Sequence, residues 1–397
     1  MNGNSQQVSD PVNADKFVTG CQKNMKILML NHEFPPVGGG AAPVTYELCK
    51  QLVLMGSSVD VVTMRYGKLP AHEVADGINI YRTPAIRKRP NICYTHEMAT
   101  YFPGAFFKTI GLCRRREYDV IHCHFIVPGG LLAWAASRLS KIPFIVTCHG
   151  SDVPGYNPDR FGATHKLMLP VWRRLAKAPA MLVSPSKSLS GLIQKNCPGA
   201  EVRIVPNGIY TDRFSGGVKK NSILMCSRIL PRKGFQYVIE AIKDLTLDWE
   251  VNIVGQGPYL DELKRLAEGS GTPIKFHGWL DNNDPQFYRL FKEAAIFVFP
   301  SEAENFPSVL LEAMSASAAI ITSTAGGCPE VVGDAGLLVE PGDVQAIREN
   351  ILKLVESPQL RRDLSDAANK RVQRFSWPRI AQEYLDCYKD VIQRRNK

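Results

Sequence analysis

Pro300-Ser301-Glu302-Ala303-Glu304-Asn305-Phe306-Pro307-Ser308-Val309-Leu310-Leu311-Glu312-Ala313-Met314 joins a strand end, a carboxylate loop and a helix start within fifteen residues. The run before it, Ala295-Ile296-Phe297-Val298-Phe299, reads as a buried strand. Pro307 suits the first turn of a helix, where its missing N–H costs nothing. Val309, Leu310, Ala313 and Met314 then share one apolar face, and Ser308 and Glu312 lie on another. Glu304 is therefore expected in the loop at the strand's carboxyl end and Glu312 just over a turn into the helix, both near free backbone N–H groups.

Two carboxylates in such a place accept hydrogen bonds from hydroxyls, and the helix start favours a phosphate. A sugar ring, a ribose and a phosphate occur together in a nucleotide-sugar. Taken as an isolated pair, the same glutamates also read as helix-start acids that complement the helix dipole. The wider pattern decides between these. The stretch resembles the E-x7-E signature of the retaining GT-B glycosyltransferases of family 4 type, glycosyl transferases group 1, in the form PSxxExxxxxxxEAM. The resemblance implies that Glu304 contacts the donor sugar and Glu312 the ribose diol, with Phe306 and Ser308 beside them on the donor. Asn305 and Pro307 stand where the family more often has Gly.

The rest of the chain reads outward from this stretch. A length of 397 residues points to two domains. No apolar run approaches the roughly 18 to 20 residues of a spanning helix. Residues 1–24 are polar, have no apolar core and read as a flexible leader. Ten scattered cysteines without a C-x2-C pair suit a reducing cytoplasm. His122-Cys123-His124 closes an apolar run and has no partner cluster at zinc spacing, so no metal site is expected there.

The net charge of +10 is uneven: residues 1–205 carry 24 Lys+Arg against 13 Asp+Glu, and residues 206–397 carry 24 against 25. An anionic membrane surface or an acidic substrate accounts for such a half, and nucleic acid is the least favoured partner because no binding signature accompanies the charge. Arg87, Lys88 and Arg89 lie at one end, and Arg114, Arg115 and Arg116 at the other, of a stretch with Tyr94, Tyr101, Phe102, Phe106 and Phe107. Basic clusters around aromatics suit a bilayer surface; the alternative is that the aromatics enter the core and the arginines solvate its rim.

Met25 to Leu30 is a strand running into Asn31-His32-Glu33-Phe34-Pro35-Pro36-Val37-Gly38-Gly39-Gly40, and a helix over Val44 to Met55 follows. This opens a doubly wound sheet. The dinucleotide fingerprint G-x-G-x-x-G fails, since Pro43 occupies its last place, which disfavours an oxidoreductase. The segment resembles the family's GGxxxxV loop, which places Gly39 and Gly40 at the donor phosphates and Val44 on the acceptor side. Strands are expected at Val59–Thr63, Ile78–Tyr81, Val120–His124, Phe144–Thr147, Met181–Val183 and Val202–Val205, in a parallel α/β arrangement.

His149-Gly150-Ser151-Asp152 resembles the family's HGxD motif, with His149 at the donor sugar and Asp152 on the acceptor side; alone, His-Gly is an ordinary turn. Asn207 lies in a PNGxD-like interdomain loop in which Tyr210 replaces the usual Asp. The second half begins with the strand Ser222–Cys226 and a loop carrying Arg228 and Lys233, two cations suited to a diphosphate and matching the family's R-x4-K pair. Gly257 lies in a GxGP turn, His277 where the family's backbone receives the base, and Ala325–Glu330 in a GGxPE-like loop.

The resemblance implies two α/β doubly wound domains facing across a cleft: 25–217 on the acceptor side, 218–374 holding the donor, and a helix over 375–397 crossing back. The implied activity is retaining transfer from a nucleoside-diphosphate sugar to a glycan, lipid-linked or small-molecule acceptor. Glu304, Arg228, Lys233 and His149 are the catalytic candidates, without metal or other cofactor, and the setting is cytoplasmic with a peripheral place on the membrane for a lipid acceptor. A non-catalytic sugar-nucleotide-binding protein of the same fold is the alternative.

Overall fold

The computed structural model describes residues 24–90, 93–156 and 158–395, so the leader lies outside the described residues. The first domain holds β1 (Lys26–Leu30), β2 (Ser58–Met64), β3 (His72–Ala75), β4 (Ile78–Thr83), β5 (Val120–His124), β6 (Phe144–Thr147), β7 (Met181–Ser184) and β8 (Val202–Ile204). The second holds β9 (Lys220–Cys226), β10 (Glu250–Val254), β11 (Ile274–Gly278), β12 (Ala294–Phe299), β13 (Ala319–Ser323) and β14 (Gly336–Val339).

Each set forms one sheet. Their orders are β3-β4-β2-β1-β5-β6-β7-β8 and β11-β10-β9-β12-β13-β14, parallel throughout except for the β3–β4 pair. The central strands β1, β5, β12 and β13 are buried almost end to end because helices cover both faces, and most of their residues are apolar, with His122 and His124 of β5 as buried exceptions. The antiparallel β3 was not anticipated. Asp76 and Gly77, both at positive φ, make the tight turn that folds it back on β4.

In each sheet the chain winds outward both ways from a central pair, β1 and β5 in the first and β9 and β12 in the second. Loops diverge at the carboxyl ends of such a pair and leave a crevice there. The loops that carry the candidate residues leave from the carboxyl ends of these pairs and of the strands β6, β8, β10, β11 and β13. The helix Trp377–Arg395 starts at the second domain and lies on the first sheet. Its buried Ile380, Tyr384, Leu385, Tyr388 and Val391 share a core with Ile27, Met29, Val120 and Ile145. Gly208 permits the crossing, since a Cβ there would lie 2.4 Å from the Trp377 ring.

Candidate functional site

The second domain's half of the cleft is built from loops pressed together. After β9, Arg228 is exposed, and Pro231–Lys233 forms a single 3-10 turn closed by Gly234 at φ +75°. A Cβ on Gly234 would lie 2.3 Å from the carbonyl oxygen of Pro300. Only glycine lets the β9 and β12 loops meet so closely. The contact brings Lys233 Nζ into an ion pair with Glu304 Oε1, and Ser301 Oγ donates to the same oxygen at 2.8 Å. Both charged side chains are about nine-tenths buried, at 9% and 12% exposed. A pair so removed from water is costly to break, because either partner left alone becomes an uncompensated charge.

The Glu304 loop is braced from behind by the segment after β13. Cβ atoms on Gly326 and Gly327 would lie 2.1 Å and 1.6 Å from the carbonyl oxygens of Glu304 and Asn305, and Gly327 N donates to Glu304 O at 3.0 Å. The GGxPE-like glycines thus set the position of the first glutamate. The helix beyond runs Ser308–Ser315, with Pro307 as its N-cap at ψ 115° and not inside its first turn. Ser308 is exposed at the helix start. Glu312 has no side-chain hydrogen bond among the described residues, and burial pushes its carboxyl up to about 7.

Next to β9, Gly257 approaches Ile229 so closely that a Cβ would be 2.0 Å from its carbonyl oxygen. His277, at the end of β11, has both ring nitrogens engaged: Nε2 with Asn252 Oδ1 at 2.6 Å and Nδ1 with Gln286 Nε2 at 3.1 Å. Its imidazole is a strut, which leaves the local backbone for a ligand. Burial lowers its pKa, so the strut is neutral.

Across the cleft, Glu33 organises the Gly-rich loop. Its Oε2 accepts from Gly39 N at 3.0 Å, and its Oε1 pairs with Arg87 Nη2 at 3.0 Å. Gly38, at φ +124°, leaves no room for a Cβ between Glu33 and Ala42. Gly40 caps the helix Ala41–Leu54, and Val44 packs on the first domain's core. After β6, Asp152 accepts from the backbone N–H groups of Ile126 at 2.9 Å, His149 at 2.9 Å and Gly150 at 3.1 Å. Both its oxygens accept from backbone N–H groups of neighbouring loops, so the side chain is a brace. Burial nonetheless holds its carboxyl above the ordinary value. His149 is partly exposed, and burial lowers its imidazole to about 3.

Further contacts complete the cleft, two of them through residues that sequence reasoning passed over, Tyr156 and Ser186. The Tyr156 phenol has its pKa raised by burial first and then by Glu304, with Arg228 and Arg232 opposing, which puts it opposite the donor-side charges. Ser186 Oγ donates to Asn305 Oδ1 at 2.7 Å. The Glu330 carboxylate receives Lys187 N at 2.6 Å and Ser188 N at 2.8 Å, so a second-domain acid caps the first-domain helix Lys187–Asn196. Asn207 Nδ2 donates to Phe306 O at 3.2 Å, and the Phe306 and Phe375 rings meet edge-on at 5.4 Å. The two domains are tied face to face along one wall of the cleft.

The basic, aromatic stretch of the first domain divides differently from the expected pattern. Arg87 is a buried partner of Glu33, Arg116 pairs with Asp60 at 3.0 Å, and Tyr101 is a core residue. Glu33 holds Arg87 inside the domain, whereas Asp60 already accepts from Asn79 and Tyr118 and is reached by Arg116 from the surface. Lys88, Arg89, Arg114, Arg115 and, despite its ion pair, Arg116 remain exposed, and Phe107 on the helix Thr95–Arg115 is 73% exposed. Among the described residues no helix is long and apolar enough to cross a membrane, and no group of three metal-ligating side chains converges.

Comparison with known proteins places this geometry. Residues 38–213 match the profile described as Glycosyltransferase Family 4, and residues 211–371 match Glycosyl transferases group 1. An uncharacterised glycosyltransferase of Methanocaldococcus jannaschii is 29% identical over 401 residues, covering 93% of this chain and 99% of that one. The N-acetyl-alpha-D-glucosaminyl L-malate synthase of Bacillus anthracis is 25% identical, with 90% and 96% covered. The fold superposes on sucrose-phosphate synthase of Thermosynechococcus elongatus with a TM-score of 0.78 at 20% identity, covering 93% and 99%. It superposes on Anabaena HepE, solved with UDP-glucose, with a TM-score of 0.71 at 19% identity, covering 92% and 100%. The chain belongs to the group 1 glycosyltransferases of family 4 type, built on the GT-B fold.

Proposed function

We propose that this glycosyltransferase takes its sugar from a nucleoside-diphosphate donor held mainly by the second domain, and passes it with retention of configuration to an acceptor seated against the first. The observation that carries the reading is the buried Lys233–Glu304 pair at the ends of β9 and β12, with exposed Arg228 in the same loop. A diphosphate supplies the anion that Lys233 and Arg228 are placed to take, and the helix start at Ser308 adds its N–H groups. Lys233 reaches the phosphates while it and Ser301 keep Glu304 Oε1, which leaves Oε2 for the sugar hydroxyls. Glu312, half-buried and without a side-chain hydrogen bond among the described residues, is suited to a ribose diol, whose two O–H groups satisfy an ionised carboxylate.

Glu304 is bound on one oxygen by both Lys233 and Ser301, which suits a holding group better than a free nucleophile. Retention then follows from departure and attack on one face: the leaving diphosphate accepts the acceptor's proton, and Arg228 and Lys233 stabilise the charge that grows on it. These cations supply the electrostatics that a metal ion supplies elsewhere. The acceptor is a glycan, a lipid-linked sugar or a small molecule. Exposed Lys88, Arg89, Arg114 and Arg115 around Phe107 favour an anionic membrane surface beside it.

Proton NMR of the product of a turned-over nucleotide-sugar tests the reading. Release of nucleoside diphosphate with the donor's anomeric configuration kept is the expected result; an inverted product would overturn the same-face mechanism.

A further inference from the structure

Behind His149 lies a buried histidine that the reading above leaves unused. His124, the last residue of β5, is fully buried. Its Nε2 is 3.2 Å from the thioether sulfur of Met29 on β1, and its Nδ1 is 2.8 Å from His149 Nε2. The two rings meet edge to edge and nearly coplanar, with centroids 5.1 Å apart and planes 21° apart. Phe125 packs on the His149 ring at 4.7 Å and holds its orientation. Phe125 itself sits at φ +68°, a conformation a bulky residue adopts only where its surroundings impose it.

These contacts fix the protons. A thioether accepts and never donates, so the nitrogen facing Met29 carries the hydrogen. Burial lowers the basicity of His124 and of His149, and both imidazoles are neutral with one N–H each. With its hydrogen on Nε2, His124 presents a bare lone pair at Nδ1. The hydrogen between the two rings must then belong to His149 Nε2. That leaves His149 Nδ1 as an unprotonated acceptor, with no protein partner among the described residues, on a side chain that reaches the cleft surface.

We propose that His124 is a positioning residue that holds His149 as the Nε2–H tautomer, so that His149 offers the cleft a hydrogen-bond acceptor for a sugar hydroxyl and no acidic proton. The proposal rests on the reading of His149 as a residue of the sugar-transfer cleft. It predicts selectivity for a substrate with a hydroxyl at that point over its deoxy analogue.

Long-range proton–nitrogen correlation on the full chain with nitrogen-15 histidine decides the tautomer without substrate, His149 being assigned by its loss in His149→Gln. A pyrrole-type Nε2 and a pyridine-type Nδ1 on His149 are expected at pH 7; the reverse pattern overturns the proposal. His124→Leu should release the lock, giving a mixed His149 tautomer and transfer slower by roughly tenfold, the worth of one hydrogen bond. His124→Asn, whose side-chain oxygen can accept in the same place, should restore both. An unchanged tautomer or an unchanged rate in a folded His124→Leu variant would refute the positioning role. If the leucine variant does not fold, the wild-type spectrum and the asparagine variant carry the test. Absence of any sugar transfer would defeat the functional reading and leave the tautomer result to stand by itself.

Discussion

Glu312→Gln separates the electrostatics of the second carboxylate from its shape. Burial raises the Glu312 carboxyl from 4.5 to about 7. The folded value lies above the unfolded one, so the folded state keeps a proton that the unfolded chain gives up. The associated stability is complete below pH 4.5 and is lost as pH rises through 7. At about 1.36 kcal/mol per unit, the loss by pH 8 amounts to up to about 3 kcal/mol. Glutamine keeps the neutral shape and has nothing to ionise. Thermal unfolding at pH 5 and pH 8 should therefore give nearly equal midpoints for the two proteins at pH 5, with the variant higher at pH 8 by roughly 6 to 12 °C. Wild type and variant losing the same stability between the two pH values would refute the assignment of an unpaired, half-buried carboxyl. Donor binding should show the converse, because a diol donating to both oxygens favours the ionised form that only the wild type possesses.

Lys233→Ala and Arg228→Ala should each slow transfer by roughly 10² or more if the side chains stabilise the leaving diphosphate, read as kcat at saturating donor; full rates in both would put the diphosphate elsewhere. Glu304→Gln should lose most turnover while nucleoside-diphosphate affinity, read by calorimetry, changes little, and wild-type turnover would remove Glu304 from the sugar. Activity should survive EDTA, whereas complete loss restored by magnesium or manganese would contradict the metal-independent reading. The protein should sediment with anionic liposomes and be released at high salt, and Arg114→Ser with Arg115→Ser should weaken binding; equal recovery with neutral liposomes would favour a soluble acceptor.

The periodicity of the chain was a good guide where local pattern and tertiary role coincide. Val120–His124 and Phe144–Thr147 are strands with the bounds their apolar runs suggest, because a strand covered on both faces has no other composition to choose. Strand β3 was missed because His72-Glu73-Val74-Ala75 has little burial to advertise, although the Asp76-Gly77 pair signals a hairpin. Charge was the least legible property. Arg87 and Lys88 are neighbours in a basic run, yet one is buried against Glu33 and the other faces water, a difference set by a carboxylate 54 residues away. Asp152, a motif acid, spends its oxygens on three backbone N–H groups of its own neighbourhood. Tyr156 and Ser186 enter the cleft through contacts between domains, and nothing in their local sequence marks them; Glu330 closes the GGxPE-like loop, but its partners, the N–H groups of Lys187 and Ser188, lie 143 and 142 residues away. The glycines were legible as a motif but not in their reason, which is the close approach of Gly234, Gly257, Gly326 and Gly327 to neighbouring carbonyl oxygens.

The central claim is that the buried Lys233–Glu304 junction receives a nucleoside-diphosphate sugar. A thermal-shift screen of the wild-type chain and Lys233→Ala against UDP-, GDP- and ADP-sugars tests it most directly, since a ligand at 100 times its Kd adds roughly 2.7 kcal/mol to the folded state. The account predicts a clear rise in Tm with one base class in the wild type and its loss in Lys233→Ala. No rise with any donor, or an equal rise in both proteins, would contradict it.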